Sequence, residues 1–290
     1  MNLFDIFIAP FVEYDFMARA LVGAAVVALS AAPVGVFLML RRMSLSGDAM
    51  AHAILPGAGA GFLVAGLEIV PMTLGGFIAG LVVALLAGLV SRLTVQREDS
   101  SLAAFYLISL ALGVMLVSLR GSNVDLMHVL FGTVLALNND ALVMIGGVAT
   151  VSLIALAAIW RPLVAECLDP NFLRSVSGAG QPTHLIFLAL VVLNLVGGFQ
   201  ALGTLLAVGL MMLPAAAARF WVRGLEALCL LAIVFGMASS YLGLVLSYHV
   251  SVPSGPAIIL VAGGIYLLSL VFGSRGIVRS RLTSSRHRIA

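Results

Sequence analysis

Apolar runs of about 20 residues recur from residue 18 to residue 273, and they constrain this chain more than any other feature. A helix needs ~20 such residues to cross ~30 Å of hydrocarbon; one run makes a signal or an anchor, and a series makes a bundle. Backbone groups must stay paired in lipid, and the runs lack the ~10-residue alternation of a membrane barrel. The expected fold is therefore all-α, a polytopic transmembrane helix bundle of about 8–9 spans. Composition agrees, because 62% of the 290 residues are hydrophobic and only 9% are charged, against about 25% charged in soluble domains. So few charges would not cover the surface of a water-soluble packing.

Dividing the runs at their polar breaks gives spans near 18–40, 48–67, 71–91, 101–119, 141–160, 184–199, 200–219, 225–247 and 256–273. They form one transmembrane domain over residues 1–290, membrane-embedded from 17 to 273, with a basic tail at 274–290. The 184–219 stretch is divided only by Gly197-Gly198-Phe199-Gln200, where a hairpin is expected. Asp5, Glu13 and Asp15 without any basic residue make residues 1–17 unlike a secretory signal. Cys167 and Cys229 have no metal-site spacing and read as packing residues.

If the nine spans alternate, 13 of the 15 basic residues fall on one side and only Arg19 and Arg120 on the other. All 15 are arginine. The positive-inside bias then places the C-terminus in the cytoplasm and the N-terminus outside. The segment from Asp125 to Asn139 is too short to span and is expected as a short helix or re-entrant piece at the outer mouth. On the inner side the longest polar break is 161–181. There Asp169 suits a helix N-cap, Pro170 the first helical position and Gly178 a stop, so a short cytoplasmic helix is expected, offering a soluble partner something to push on.

The sharpest chemical feature is Asp48-Ala-Met-Ala-His52. At ~1.5 Å per residue from Met43, His52 lies about 13 Å into the core, and Asp48 sits one turn shallower on the same face. Ionisable residues at such depth usually face a cavity or a partner. A carboxylate and an imidazole suit a borderline divalent cation such as zinc or manganese, and two copies in a symmetric dimer would supply four ligands. The plainer reading is a pair that hydrogen-bonds each other or a neighbouring helix as structural glue. Asp125 with His128, and His249 before Ser251-Val-Pro-Ser-Gly-Pro256, are outer-mouth candidates for ion capture; the plainer reading of each is a wet surface side chain. Glu68 reads as solvated or paired, and His184 and His287 as unspecific.

Pro56 with Gly57, Gly59, Gly61 and Gly66 makes the second span thin and bendable beside that pair. The chain has no phosphate-cradling Gly-rich loop ending in Lys and Ser or Thr, and no hydrolase constellation, so a membrane enzyme is poorly supported. A proton-coupled secondary carrier, with Asp48 and His52 as relay, is the main rival, although no internal repeat supports it.

Five ordered blocks resemble the permease subunits of zinc and manganese ABC importers: residues 41–57 (Arg-Arg-Met-Ser-Leu-Ser-Gly-Asp-Ala-Met-Ala-His-Ala-Ile-Leu-Pro-Gly), Leu130-Phe-Gly132, Leu168-Asp-Pro170, residues 203–219, and Val252-Pro-Ser-Gly-Pro-Ala257. The resemblance runs from about residue 18 to residue 273. It implies that Asp48 and His52 are metal contacts in the translocation path. It further implies that Leu168, Asp169 and Pro170, with Asn171 and Gly178, form the region that couples to the ATPase. Also implied are a permease homodimer in a bacterial plasma (inner) membrane, a separate cytoplasmic ABC ATPase, and an extracytoplasmic metal-binding protein. The chain itself is then no enzyme and holds no permanent cofactor, and no nucleic-acid partner is expected. The Met-Ser-Leu-Ser-Gly-Asp-Ala-Met-Ala-His stretch looks closer to zinc permeases, with manganese or iron as alternative substrates. Val252 departs from the acidic or polar residue frequent in the family near this position.

Overall fold

The computed structural model of the chain describes residues 7–66, 68–96, 98–119, 137–169 and 180–278. The described residues hold no strand. Their helices are α1 (Ala9–Glu13), α2 (Asp15–Leu40), α3 (Ser44–Ala53), α4 (Leu55–Ala65), α5 (Ile69–Leu93) and α6 (Glu98–Leu119), then α7 (Asn139–Ala158), α8 (Trp160–Leu168), α9 (Gly180–Leu202), α10 (Thr204–Ala218), α11 (Leu225–Val250) and α12 (Ser254–Phe272). Seven stretches, counting α3 and α4 as one, are long and apolar enough to cross a bilayer, and α6 and α10 are shorter apolar helices. Together they match the nine expected spans one for one.

The passes alternate, as side-chain contacts show. Ser46 donates to Asp99 at 2.8 Å and Ser109 to the carbonyl of Ala53 at 3.1 Å, so α6 climbs beside α3 in the same direction. A Cβ on Gly57 would meet the carbonyl of Gly75, and one on Gly61 the carbonyl of Pro71, which sets α5 antiparallel to α4. Asn194 donates to Ser152 at 2.9 Å and Gly197 lies against Val148, so α7 and α9 are antiparallel. The same logic pairs Gly236 of α11 with Ala28 of α2, and Gly243 with Ile258 across α11 and α12.

The second span starts at Ser44 and breaks after His52. Pro56 has no N–H to give the carbonyl of His52, so α3 ends at Ala53 and α4 begins at Leu55 with the proline in its first turn. The hydroxyl of Ser109 satisfies the carbonyl of Ala53 at the break.

Most of α2 is buried, because Ala20, Gly23, Ala24, Ala28, Ala31, Ala32 and Gly35 let neighbouring helices approach from several sides. At Gly35 an added Cβ would lie 1.8 Å from the carbonyl oxygen of Met211. Its last turn closes in a Schellman turn: Met43 N–H bonds the Leu38 carbonyl at 2.9 Å and Arg42 N–H the Met39 carbonyl at 3.1 Å. Arg42 takes the left-handed position, with φ of 60°. The turn joins α2 rigidly to α3.

Two expectations change. The 184–219 stretch does not divide at Gly197-Gly198-Phe199-Gln200, because α9 runs through to Leu202 and turns at Gly203, where φ is +88°. Gly197 and Gly198 are packing glycines: an added Cβ would lie 2.9 Å from Val148 and 2.7 Å from Ala207. The inner break also does not begin as a loop at residue 161. Helix α8 lies there, with Leu163 buried against the bundle and Leu168 82% exposed. Its Pro162 falls in the first turn, where a missing N–H costs nothing.

Candidate functional site

Helix α3 turns its Gly47, Ala49, Met50, Ala51 and Ala53 inward. The opposite stripe, at helical spacing, carries Leu45, Asp48 and His52. The Asp48 side chain is 66% exposed and that of His52 33%. Asp48 Oδ1 and His52 Nε2 stand 3.9 Å apart. That is too long for a hydrogen bond, so mutual glue does not account for the pair. His52 Nδ1 is buried without a hydrogen-bond partner among the described residues, and the His52 ring lies 6.2 Å from that of Tyr106. The pair stands on a helix that stops inside the span, at Ala53.

A divalent cation would find two ligand side chains here. Among the described residues no three His, Cys, Asp or Glu side chains gather to hold a metal. Among the described residues the two side chains are an incomplete shell, on an exposed face.

The described ones among the remaining sequence candidates, His249, Leu168 and Asp169, do not join the pair. His249 is exposed in the last turn of α11, with its ring 5.2 Å from that of Tyr248, which in turn packs on Tyr14. This is the helix end opposite the Arg41–Ser44 turn. Leu168 and Asp169 end α8 at the arginine-rich end, Asp169 with extended backbone. Asp125, His128, Pro170, Asn171 and Gly178 lie outside the described residues.

Sequence reasoning missed a charged cluster at the arginine-rich end. Arg41 Nη2 donates to Glu166 Oε1 at 3.1 Å, and the two side chains are only 11% and 7% exposed. The same nitrogen contacts His184 Nδ1. Arg41 also lies over the ring of Phe187, 5.1 Å from its centroid, and Phe37 meets Trp160 edge-on at 5.2 Å. Only the run of arginines hinted at this cluster. Glu166 and His184 stand 18 residues apart and declare no pairing in sequence.

Next to the cluster, burial pushes the Cys167 thiol up to about 11, against the pull of Arg41.

Comparison with known proteins bears on the whole chain. The profile of the ABC 3 transport family matches residues 13–273. The chain is 31% identical over 282 residues to the manganese transport system membrane protein MntC of Halalkalibacterium halodurans, covering 97% of this chain and 95% of the relative. It is also 31% identical over 263 residues to the manganese import system permease protein ScaB of Streptococcus parasanguinis, covering 91% and 92%. Among solved structures it resembles PsaBC from Streptococcus pneumoniae in complex with Fab, with a TM-score of 0.85 and 28% identity over 98% of this chain and 100% of that one. The expectation of zinc finds no support in these names, two of which say manganese. The all-α bundle, the profile match over residues 13–273 and relatives aligned over nearly the full length place this chain in the ABC 3 transport family, the metal-ion ABC permeases.

Proposed function

We propose that the protein is the membrane permease of an ATP-binding-cassette importer that carries manganese into the cytoplasm, with Asp48 and His52 as the ligands that meet the ion. The observation that carries this reading is the outward-facing pair, two ligand groups 3.9 Å apart and not bonded to each other, on a helix that ends inside its span. A solvated-in-water carboxylate set against acyl chains is costly, so the exposed face calls for a second copy or a wet passage. Two permease chains related by a two-fold axis would bring two such pairs together and provide four ligands. Manganese accepts carboxylate and imidazole alike, and the named relatives favour it over zinc.

In this account a separate cytoplasmic ATPase supplies the energy and docks on the region around Leu168, Asp169, Pro170, Asn171 and Gly178. An extracytoplasmic binding protein delivers the ion to the outer ends, where Asp125, His128 and His249 assist capture. The arginine-rich end, including the C-terminus, faces the cytoplasm.

The test is uptake of radioactive manganese by cells that depend on this system. Asp48→Ala and His52→Ala, each expressed normally, are expected to reduce uptake at least tenfold, with zinc and iron as competitors to rank selectivity. Uptake unchanged in both variants would refute the assignment.

A further inference from the structure

The Arg41 cluster joins three stretches of chain, α2, α8 and α9. Arg41 is the C-cap of α2. Glu166 is on α8, three residues before Asp169, and His184 is in the second turn of α9. The 169–178 region is thus flanked on both sides by side chains that hold one guanidinium. From that guanidinium the chain passes through the closed Schellman turn at Arg42 into α3, and Asp48 follows seven residues after Arg41.

Each joint along this route is tight. Leu163 is fully buried and fastens α8 beside Glu166. Phe187 stacks under Arg41 and Trp160 abuts Phe37, so α8, α9 and the end of α2 share one packed corner. The corner is built with charges although apolar side chains would fill it, and two of its polar atoms, Arg41 Nη1 and Glu166 Oε2, have no partner among the described residues. A merely structural anchor gains little from a buried ion pair that an apolar trio would replace without loss. An ion pair with spare donors and acceptors has the means to hold more than one arrangement.

We propose that Arg41, Glu166 and His184 are positioning residues for transport: a clamp that carries displacement of α8, which ends at Asp169, to α3 and so re-orients Asp48 and His52. This rests on the reading of residues 168–178 as the ATPase-docking region.

The experiment uses the complete transporter, permease with ATPase and binding protein, in proteoliposomes, and records manganese uptake and ATP hydrolysis on the same sample. The variants are Glu166→Gln, Arg41→Lys, His184→Gln and the exchange pair Arg41→Glu with Glu166→Arg. Melting temperature and co-purification of the ATPase report folding and assembly. The clamp predicts that Glu166→Gln and Arg41→Lys still assemble and hydrolyse ATP within twofold of the parent, while uptake per ATP falls at least tenfold. It also predicts that the exchange pair recovers part of that ratio. An unchanged ratio in both single variants overturns it, as does a parallel loss of hydrolysis and uptake that the exchange does not repair. Loss of assembly in every variant, the exchange included, assigns the trio to folding alone and overturns it too. Asp169→Lys is the separate control: if the ATPase remains bound and stimulated there, the docking reading fails whatever the clamp ratio shows.

Discussion

Glu166 illustrates how much a single side chain is asked to do in this protein. One of its carboxylate oxygens is held by Arg41 at 3.1 Å, in surroundings that leave the carboxylate 7% exposed. Removing it strands a buried guanidinium, so Glu166→Ala is expected to destabilise the chain by about 3–5 kcal/mol, read as a lowered melting temperature in detergent. Glu166→Gln keeps an acceptor for Arg41 and is expected to cost less. The neighbouring Cys167 gives a pH prediction. Burial raises its thiol from 9.0 to about 11, outweighing the opposing pull of Arg41. Its stabilising effect is complete below pH 9 and lost as pH climbs toward 11, because the thiolate is the form that burial disfavours. Alkylation of Cys167 by iodoacetamide is therefore expected to stay slow at pH 7–9 and to accelerate only above about pH 10. Fast labelling at pH 8 would contradict the burial.

Glycines and prolines at the level of elements do two different jobs, and telling them apart needs the tertiary structure. Gly57 and Gly75 approach so closely that a Cβ on either would lie 2.0 or 2.2 Å from the carbonyl oxygen of the other. Gly57→Ala must push α4 and α5 apart and is expected to cost about 1–3 kcal/mol or more, whereas Gly146→Ala meets nothing within 4 Å and is expected to be silent. Size-exclusion profiles of fluorescent fusions separate the two. Gly203, with φ of +88° and ψ of 159°, sits in a region almost reserved for glycine. Its replacement by Ala is expected to cost about 1–3 kcal/mol, seen as a lowered melting temperature. Sequence alone could not choose between Gly197-Gly198 and Gly203 as the hairpin, since all three read as breakers and only the partners Val148 and Ala207 reveal packing. Helix α8 escaped notice for a related reason. Arg161, Pro162 and Glu166 resemble a polar break, and the burial of Leu163 and Glu166 depends on distant α2 and α9. By contrast, the bundle of about 8–9 spans was legible because lipid demands long apolar runs, and Pro56 marked a bendable point where the structure has a full break between α3 and α4.

At the scale of the whole molecule, Asp48 and His52 stand on an exposed face, and no third His, Cys, Asp or Glu gathers with them among the described residues. That Asp48 and His52 share one helix face was legible in their spacing of four residues, and the structure sets them 3.9 Å apart. A shell completed by a second copy or by water, as proposed above, leaves no trace in one chain's pattern. A site shared between two copies fixes a stoichiometry. Equilibrium dialysis of the purified, assembled transporter against manganese measures it directly. The expected result is one ion per two permease chains, lost in Asp48→Ala while the two-chain assembly persists in light scattering. One ion per single chain, or undiminished binding in Asp48→Ala, would contradict a site shared between two copies at Asp48 and His52.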